Sequence, residues 1–241
     1  MLSGLLNPKK AIRYILVFIK YSLRKKKGVL FFIGMDPNGV FNLMFRGYEV
    51  CYGFEPSPER FKKLHKKYKK YPQVHIFNVA AARAKGEVKF NISSNKGASS
   101  SLGKFNEEWL FEKGEKIKMT NTIDVPSINL YEFCSQNNIS TIDDYISDIQ
   151  GMDLEVLKTL EPMLVSKSIK SITCEVTKNE KGNVYSDLPD NSEKGFNELL
   201  QDNYQLAAKG WGILVDNKFD KIPEHTWEFD CKWKLKEPTV L

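Results

Sequence analysis

Cysteine is sparse and never paired: Cys51, Cys134, Cys174 and Cys231 are spread along 241 residues with no CxxC among them. That spacing signals neither a zinc site nor a disulfide framework, and reduced thiols in the cytoplasm are the simplest account. Long hydrophobic runs are missing too. The N-terminal apolar run Tyr14 to Ile19 is interrupted by Lys20, is too short to span a membrane, and is followed by no small-residue cleavage site, so it makes a poor signal peptide. No internal repeat is evident.

What remains is ordinary for a folded body: 41% hydrophobic and 27% charged residues, which excludes a disordered or fibrous chain. The length allows one domain with appendages. The formal charge of +6 is modest, but Lys and Arg cluster at Lys9 to Lys27 and Arg60 to Lys70. Such clusters attract nucleic acid or a membrane surface, or simply form a solvated lysine-rich face. Within residues 8 to 27, Ile12, Ile15, Leu16, Ile19 and Leu23 recur at helical spacing with Lys10, Arg13, Lys20 and Arg24 elsewhere on the wheel. This is a basic amphipathic helix. Residues 1–27 are set apart as that helix, which either caps the sheet of the main domain (28–241) or lies on a membrane surface or a partner.

From Gly28 short apolar runs alternate with helical stretches, the pattern of parallel strands joined by crossover helices. Val29 to Ile33, Glu49 to Phe54 and Val74 to Val79 read as the first three strands. Ser57 is placed to cap a helix whose first turn holds Pro58 and Glu59 and which continues through Phe61, Leu64 and Tyr68. The rhythm breaks between Gly86 and Val125, with a strand at Glu87 to Ile92 and a Gly/Ser loop, Asn95 to Gly103, whose composition suggests mobility. Asn129 to Gln136 reads as helix, Tyr145 to Ile149 as a fourth strand, Met152 to Leu164 as one helix and Ser171 to Val176 as a fifth strand. Phe196 to Gln201 is helical, and strands near Gln205 to Val215 and Trp227 to Leu235 form an antiparallel terminal pair.

In such a sheet ligands bind beyond the carboxyl ends of the strands. The first strand runs into Gly34-Met-Asp-Pro-Asn-Gly39, a turn that lets the backbone approach a ligand closely. The second ends in Gly53-Phe-Glu-Pro-Ser57, which puts the Glu55 carboxylate at a strand tip, 16 residues after Gly39, where an acidic side chain can accept hydrogen bonds from both ribose hydroxyls of a nucleoside.

Four blocks taken in order resemble one known family. Gly53-Phe-Glu-Pro-Ser-Pro58, Asn78-Val-Ala-Ala81, Gly97-Ala-Ser-Ser-Ser-Leu102 and Asp148-Ile-Gln-Gly-Met-Asp-Leu-Glu-Val-Leu-Lys158 look like an FkbM-type methyltransferase, the last block being the most specific. The resemblance covers roughly Leu30 to Val176. It implies a Rossmann-like class I fold, a mostly parallel seven-stranded sheet with an antiparallel terminal strand and helices on both faces. It further implies S-adenosylmethionine as cofactor and methyl transfer, often to a sugar or polyketide hydroxyl. On that resemblance Gly34, Asp36, Asn38 and Gly39 border the methionine part, Glu55 with Pro56 and Ser57 the ribose, and Asn78 with Val79 the adenine. Ser100 or Ser101 closes over the cofactor, and Asp148, Gln150 and Asp153 face the reaction centre or the acceptor.

Two departures stand out. Members of the family usually carry an acidic residue two before the first glycine, where this chain has Phe32, and the Gly34 to Gly39 interval is one residue longer than the commoner glycine pair. Either Asp36 supplies the missing carboxylate or cofactor affinity is reduced or lost, which would leave a methyltransferase-like binding module without activity. Ser147 also replaces a Lys often seen just before the motif Asp.

Methyl transfer needs an acceptor oxygen aligned with an electrophilic carbon and a group to take its proton. Asp148 at the fourth strand's tip is the first candidate base, with Asp153 and Glu175 behind it. The three together are also a possible divalent-cation site, though nothing demands a metal. His65 and His75 read as surface or packed residues, while His225, near Trp227, is placed to line an acceptor pocket. Trp211, Trp227, Trp233 and Tyr204 offer stacking surfaces for a sugar ring, with core packing as the alternative. The expected acceptor is a small molecule or glycan. The lysine clusters raise RNA as a rival acceptor, but no RNA-binding appendage or aromatic-basic motif accompanies them, so no nucleic-acid partner is expected. Oligomeric state is left open.

Overall fold

A computed structural model of the chain describes residues 8–37, 39–112, 116–212 and 221–237. Asn38 and Val215 lie outside them. Seven strands form one sheet in the order β3 (Val74–Phe77), β2 (Val50–Phe54), β1 (Val29–Ile33), β7 (Asp144–Ser147), β8 (Ser171–Thr177), β10 (Glu228–Leu235) and β9 (Tyr204–Gly210). The first five run parallel, and β10 lies antiparallel to both neighbours. The chain therefore starts at the centre of the sheet and reverses direction beside β1, so the tips of β1 and β7 sit side by side.

Each face of the sheet is covered because the buried strands carry side chains to both sides. Phe31, Ile33, Phe54 and Tyr145 pack on one side with α5 (Leu130–Gln136), α6 (Asp153–Lys158) and α7 (Glu161–Val165), and with Phe196 and Leu200 of α8 (Glu193–Leu200). On the other side Leu30, Phe32, Cys51 and Ile146 meet α1 (Pro8–Leu23), α2 (Phe41–Met44) and α3 (Pro58–Tyr68). Phe32 stands edge-on to Phe41 at 5.7 Å and is fully buried. The position that is acidic elsewhere is here a core position.

Several local signals act as expected. Ser57 caps α3, its hydroxyl accepting from the Arg60 backbone N–H at 3.4 Å, and Asn129 caps α5 through the N–H groups of Tyr131 and Glu132. The single helix expected over Met152 to Leu164 is instead two short ones, α6 and α7, because the turn at Thr159–Leu160 puts Pro162 in the first turn of a new helix.

Three features go beyond what the sequence pattern foretold. The segment after Gly86 holds a second, three-stranded sheet, β4 (Ala80–Ala81), β6 (Met119–Ile128) and β5 (Gly86–Ser93), with α4 (Glu107–Glu112) between the long strands. The Asn95 to Gly103 loop is also pinned rather than loose: Ser93 Oγ donates to Asn95 Oδ1, Ser99 N donates to Ser93 Oγ, and Asn91 Nδ2 donates to the Gly103 carbonyl. The helix α1 does not turn its apolar stripe inward. Val17 and Tyr21 are its buried residues, whereas Ile12, Ile15, Leu16, Ile19 and Leu23 are exposed.

If Phe32 is a packing residue, restoring the family's acid destabilises the protein. Phe32→Asp is expected to cost roughly 3 kcal/mol or more in denaturant unfolding, from a lost aromatic and a buried unpaired carboxylate. An unchanged unfolding midpoint would show that the position tolerates charge.

Candidate active site

The parallel strands end around a small cavity that is partly open to solvent. Its walls come from both sheets. Gly34, Phe54, Glu55 and Pro56 contribute from the tips of β1 and β2, Val79 to Ala81 and Phe90 from the small sheet, and Gly97, Ala98, Ser100 and Leu102 from the pinned loop. Asp148, Ile149, Gln150 and Met152 close it after β7.

Gly34 has φ +77°, and a Cβ there would overlap the Asp148 carbonyl oxygen. Glycine is required because the β1 tip crosses directly against the β7 tip. Glu55 is only 4% exposed. One carboxylate oxygen accepts from its own loop, the Ser57 N–H, at 2.8 Å, and the other lies 3.5 Å from Arg60 Nε. Burial outweighs Arg60 and pushes the Glu55 pKa up to about 7.

Beyond Asp148 a hub forms around Gln150, a non-glycine residue with φ +59°. Its Nε2 donates to Asp148 Oδ1 at 2.7 Å and to Glu175 Oε2 at 2.8 Å, while its Oε1 accepts from the Tyr185 hydroxyl at 2.8 Å. Its backbone carbonyl accepts from Ser101 Oγ at 2.7 Å. Every polar atom of the side chain is used, which explains how a left-handed backbone is held. Asp148 and Glu175 thus share one amide donor. Burial, followed by the negative charges of Asp148, Glu228 and Asp230, holds Glu175 protonated well above the carboxylate range. Burial raises Asp148 as well, while hydrogen bonds from Gln150 and Glu175 act in the opposite direction.

The expected site residues divide accordingly. Gly34, Glu55, Pro56, Val79, Ser100, Asp148 and Gln150 line the cavity. Asp36, Gly39, Ser57, Asn78, Ser101, Asp153 and Glu175 do not. Asp36 is an exposed side chain 3.8 Å from Arg60, and Gly39 donates to the Asp36 carbonyl at 3.0 Å, closing a turn. Asn78 supports the Glu55 loop by donating to the carbonyls of Glu55 and Pro56, both at 2.9 Å. Asp153 is fully buried behind β7, accepting from Ser147 Oγ at 2.5 Å and the Ile149 N–H at 3.1 Å, with Oδ2 unpartnered. Its pKa is pushed up to about 7 by burial, so it supports the Asp148 loop from inside. Trp227, Trp233 and Tyr204 are core residues, His225 is exposed, and among the described residues no group of three or more His, Cys, Asp or Glu is arranged to hold a metal.

Arg60 was missed by the sequence reading. Its Nη1 donates to the Gly97 carbonyl at 2.9 Å and its Nη2 to the Met35 carbonyl at 3.3 Å, and with Glu55 it ties three cavity loops together. It stood inside a lysine-rich helix face, and only its place one turn after the Ser57 cap, on the side of Glu55, marked it as different.

The sheet order, with the last strand inserted antiparallel and an acidic residue ending β2, defines a class I methyltransferase fold. Residues 36–203 match the methyltransferase FkbM domain, and the chain belongs to that family: it is an S-adenosylmethionine-dependent methyltransferase. Similar solved structures include the METTL16 methyltransferase domain (9% identity, TM-score 0.48, 98% of this chain and 71% of that one). Others are an rRNA methylase from Streptococcus thermophilus (8%, 0.47, 98% and 100%) and the magnesium protoporphyrin IX methyltransferase ChlM of Synechocystis PCC 6803 with bound SAM (9%, 0.45, 98% and 86%). No curated protein matches the chain.

Asp153 yields a signed prediction. Its folded pKa lies above the ordinary value of 3.8, so the folded state binds the proton more tightly, and the group costs stability progressively as pH rises from about 4 through 7. Asp153→Asn removes that titration. The melting temperature of the variant relative to wild type is expected to rise by roughly 2–4 °C or more between pH 5 and pH 8. A difference independent of pH would mean that Asp153 is ionised and paired.

Proposed function

We propose that the cavity binds S-adenosylmethionine with Glu55 on the ribose and that the enzyme methylates a hydroxyl of a sugar, glycan or related small molecule. The observation that carries this reading is the placement of two unlike carboxyl groups in one cavity: buried Glu55 at the tip of β2, and Asp148, backed by Gln150 and Glu175, beyond β7.

The residues fit the cofactor. A buried carboxylate holding only one strong donor has lone pairs left for vicinal hydroxyls. Val79, Ala80, Ala81, Phe90 and Leu102 offer an apolar slot for a flat base, and Asn78 acts on that region through the loop it braces. Gly34 leaves the β1 turn without a side chain where the amino-acid part would pass. Asp36 stands at the outer end of the same turn, beside Arg60.

When bound, the cofactor supplies an electrophilic methyl group on sulfur. Asp148 accepts the acceptor hydroxyl's proton as the oxygen–carbon bond forms and the carbon–sulfur bond breaks, leaving a methyl ether and S-adenosylhomocysteine. Alignment is worth about 7 kcal/mol or more in such displacements, and a positioned base adds about 10²-fold to 10⁴-fold. Glu175, held protonated, keeps Asp148 oriented and partly neutralised, and Asp153 fixes the loop that carries it. A hydroxyl suits this site because its proton needs a base, and Asp148 is the carboxyl of the pair that lines the cavity.

Glu55→Ala is expected to weaken S-adenosylhomocysteine binding by about 1.5–3 kcal/mol, the worth of hydrogen bonds to a charged group, in isothermal calorimetry. Because burial raises Glu55 to about 7, wild-type affinity should fall between pH 8 and pH 6 as the carboxylate takes up a proton, and the Ala variant should lose that dependence. Equal affinity of the two proteins places the ribose elsewhere.

Asp148→Asn is expected to lower kcat by about 10²-fold or more with S-adenosylhomocysteine affinity within a few-fold of wild type. Product analysis over hydroxylated sugars and small RNAs should show O-methylation of the sugars. Methyl transfer confined to RNA would overturn the acceptor assignment while leaving the cofactor site in place.

A further inference from the structure

The helix α1 carries its charge and its apolar surface in an arrangement that the catalytic site does not use. Eight Lys and Arg residues precede Asp36, the first acidic residue of the chain, and the remaining 28 basic and 30 acidic residues nearly cancel. The net positive charge therefore resides in the N-terminal segment. Within α1, residues spaced three and four apart share a face, and two faces are both apolar. One, with Val17 and Tyr21, is buried against Phe41, Phe45 and Tyr48. The opposite one presents Ile12 (58% exposed), Ile15 (58%), Leu16 (61%), Ile19 (44%) and Leu23 (81%) in one continuous stripe.

A folded protein does not usually leave five neighbouring aliphatic side chains in water, and such a patch marks an interaction surface. Its border shows what kind. Lys20 and Arg24 follow the edge of the stripe, lying against the Tyr21 ring, and exposed Lys25, Lys26 and Lys27 continue beyond the helix end. On the other side Arg46 bridges α1 to the end of α3, 5.1 Å from the Phe18 ring and 5.7 Å from Tyr71, with Lys70 next to it, 5.3 Å from Tyr71. An aliphatic stripe framed by cations, with no carboxylate in the helix, complements a surface that is negatively charged outside and hydrocarbon beneath.

We propose that α1 is a membrane-surface anchor that inserts Ile12, Ile15, Leu16, Ile19 and Leu23 shallowly into an anionic lipid leaflet and pairs its basic border with lipid headgroup phosphates. No helix among the described residues is long and apolar enough to cross a membrane, so contact through α1 is peripheral. A second copy of the chain is a poorer occupant, since two such stripes brought together would bring two cationic borders together as well.

Co-sedimentation of the full chain with phosphatidylcholine vesicles, with and without phosphatidylserine, tests this. Wild type is expected to pellet with the phosphatidylserine vesicles, to remain in solution with phosphatidylcholine alone, and to be released by high salt. A Leu16→Glu/Ile19→Glu variant, altered only at exposed positions, should lose at least about tenfold in bound fraction. Its melting temperature and S-adenosylhomocysteine affinity should stay at wild-type values. Wild type remaining in the supernatant with anionic vesicles overturns the proposal. So does a dimer in sedimentation velocity that the same variant dissolves, because the stripe would then be covered by a second copy. The cofactor-binding readout is independent of both outcomes, so failure here leaves the catalytic reading standing.

Discussion

The side-chain amide of Gln150 is the contact on which the catalytic end of this molecule depends. It joins Asp148 just after β7, Glu175 on β8 and Tyr185 from the polar segment beyond, and the residue's backbone carbonyl anchors Ser101 of the loop over the cavity. Several acids are buried in this region, and each would resist ionisation by itself. A neutral amide that donates twice lets two of them stand close together around one side chain. The left-handed backbone at residue 150 is tolerated because four hydrogen bonds fix it.

From that arrangement the division of labour follows. Groups that line the cavity, Glu55 and Asp148, are partly served by protein donors and keep capacity for a ligand. Groups just behind them, Asn78, Asp153, Ser101 and Glu175, brace the loops and side chains in front of them. Arg60 does both: it borders the cavity and holds the Met35, Glu55 and Gly97 loops in register. The second sheet supplies what the main sheet lacks, an apolar wall from Ala80, Ala81 and Phe90 that keeps water from one side of the slot.

Much of this was legible in the residues. Strands β1 and β2 stand out because they are largely buried on both faces and so read as continuous apolar runs, and the Ser57-Pro58-Glu59 start of α3 is written in its capping chemistry. The Glu55 carboxylate could be placed because it follows a strand directly. The strand β6 could not: half of Met119–Ile128 is exposed, and Pro126 inside it argues against a strand. The outward stripe of α1 was hidden for a different reason. The helix is apolar on two faces, and periodicity finds an apolar face without saying which one the sheet will cover; the aromatic residues Phe41, Phe45 and Tyr48 chose Val17 and Tyr21. Arg60 and the buried position of Asp153 depend on loops meeting in space, which linear spacing does not encode. Phe32 breaks the family's pattern in sequence, and the fold explains it, since that side chain fills the core between β1 and α2.

A structure of the protein crystallised with S-adenosylhomocysteine measures the central claim most directly. The account predicts both ribose hydroxyls within about 3 Å of the Glu55 carboxylate, the base between Val79 and Phe90, and the sulfur on the side of the cavity that Asp148 borders. A nucleoside bound elsewhere, or in this cavity with its ribose turned away from Glu55, would contradict it.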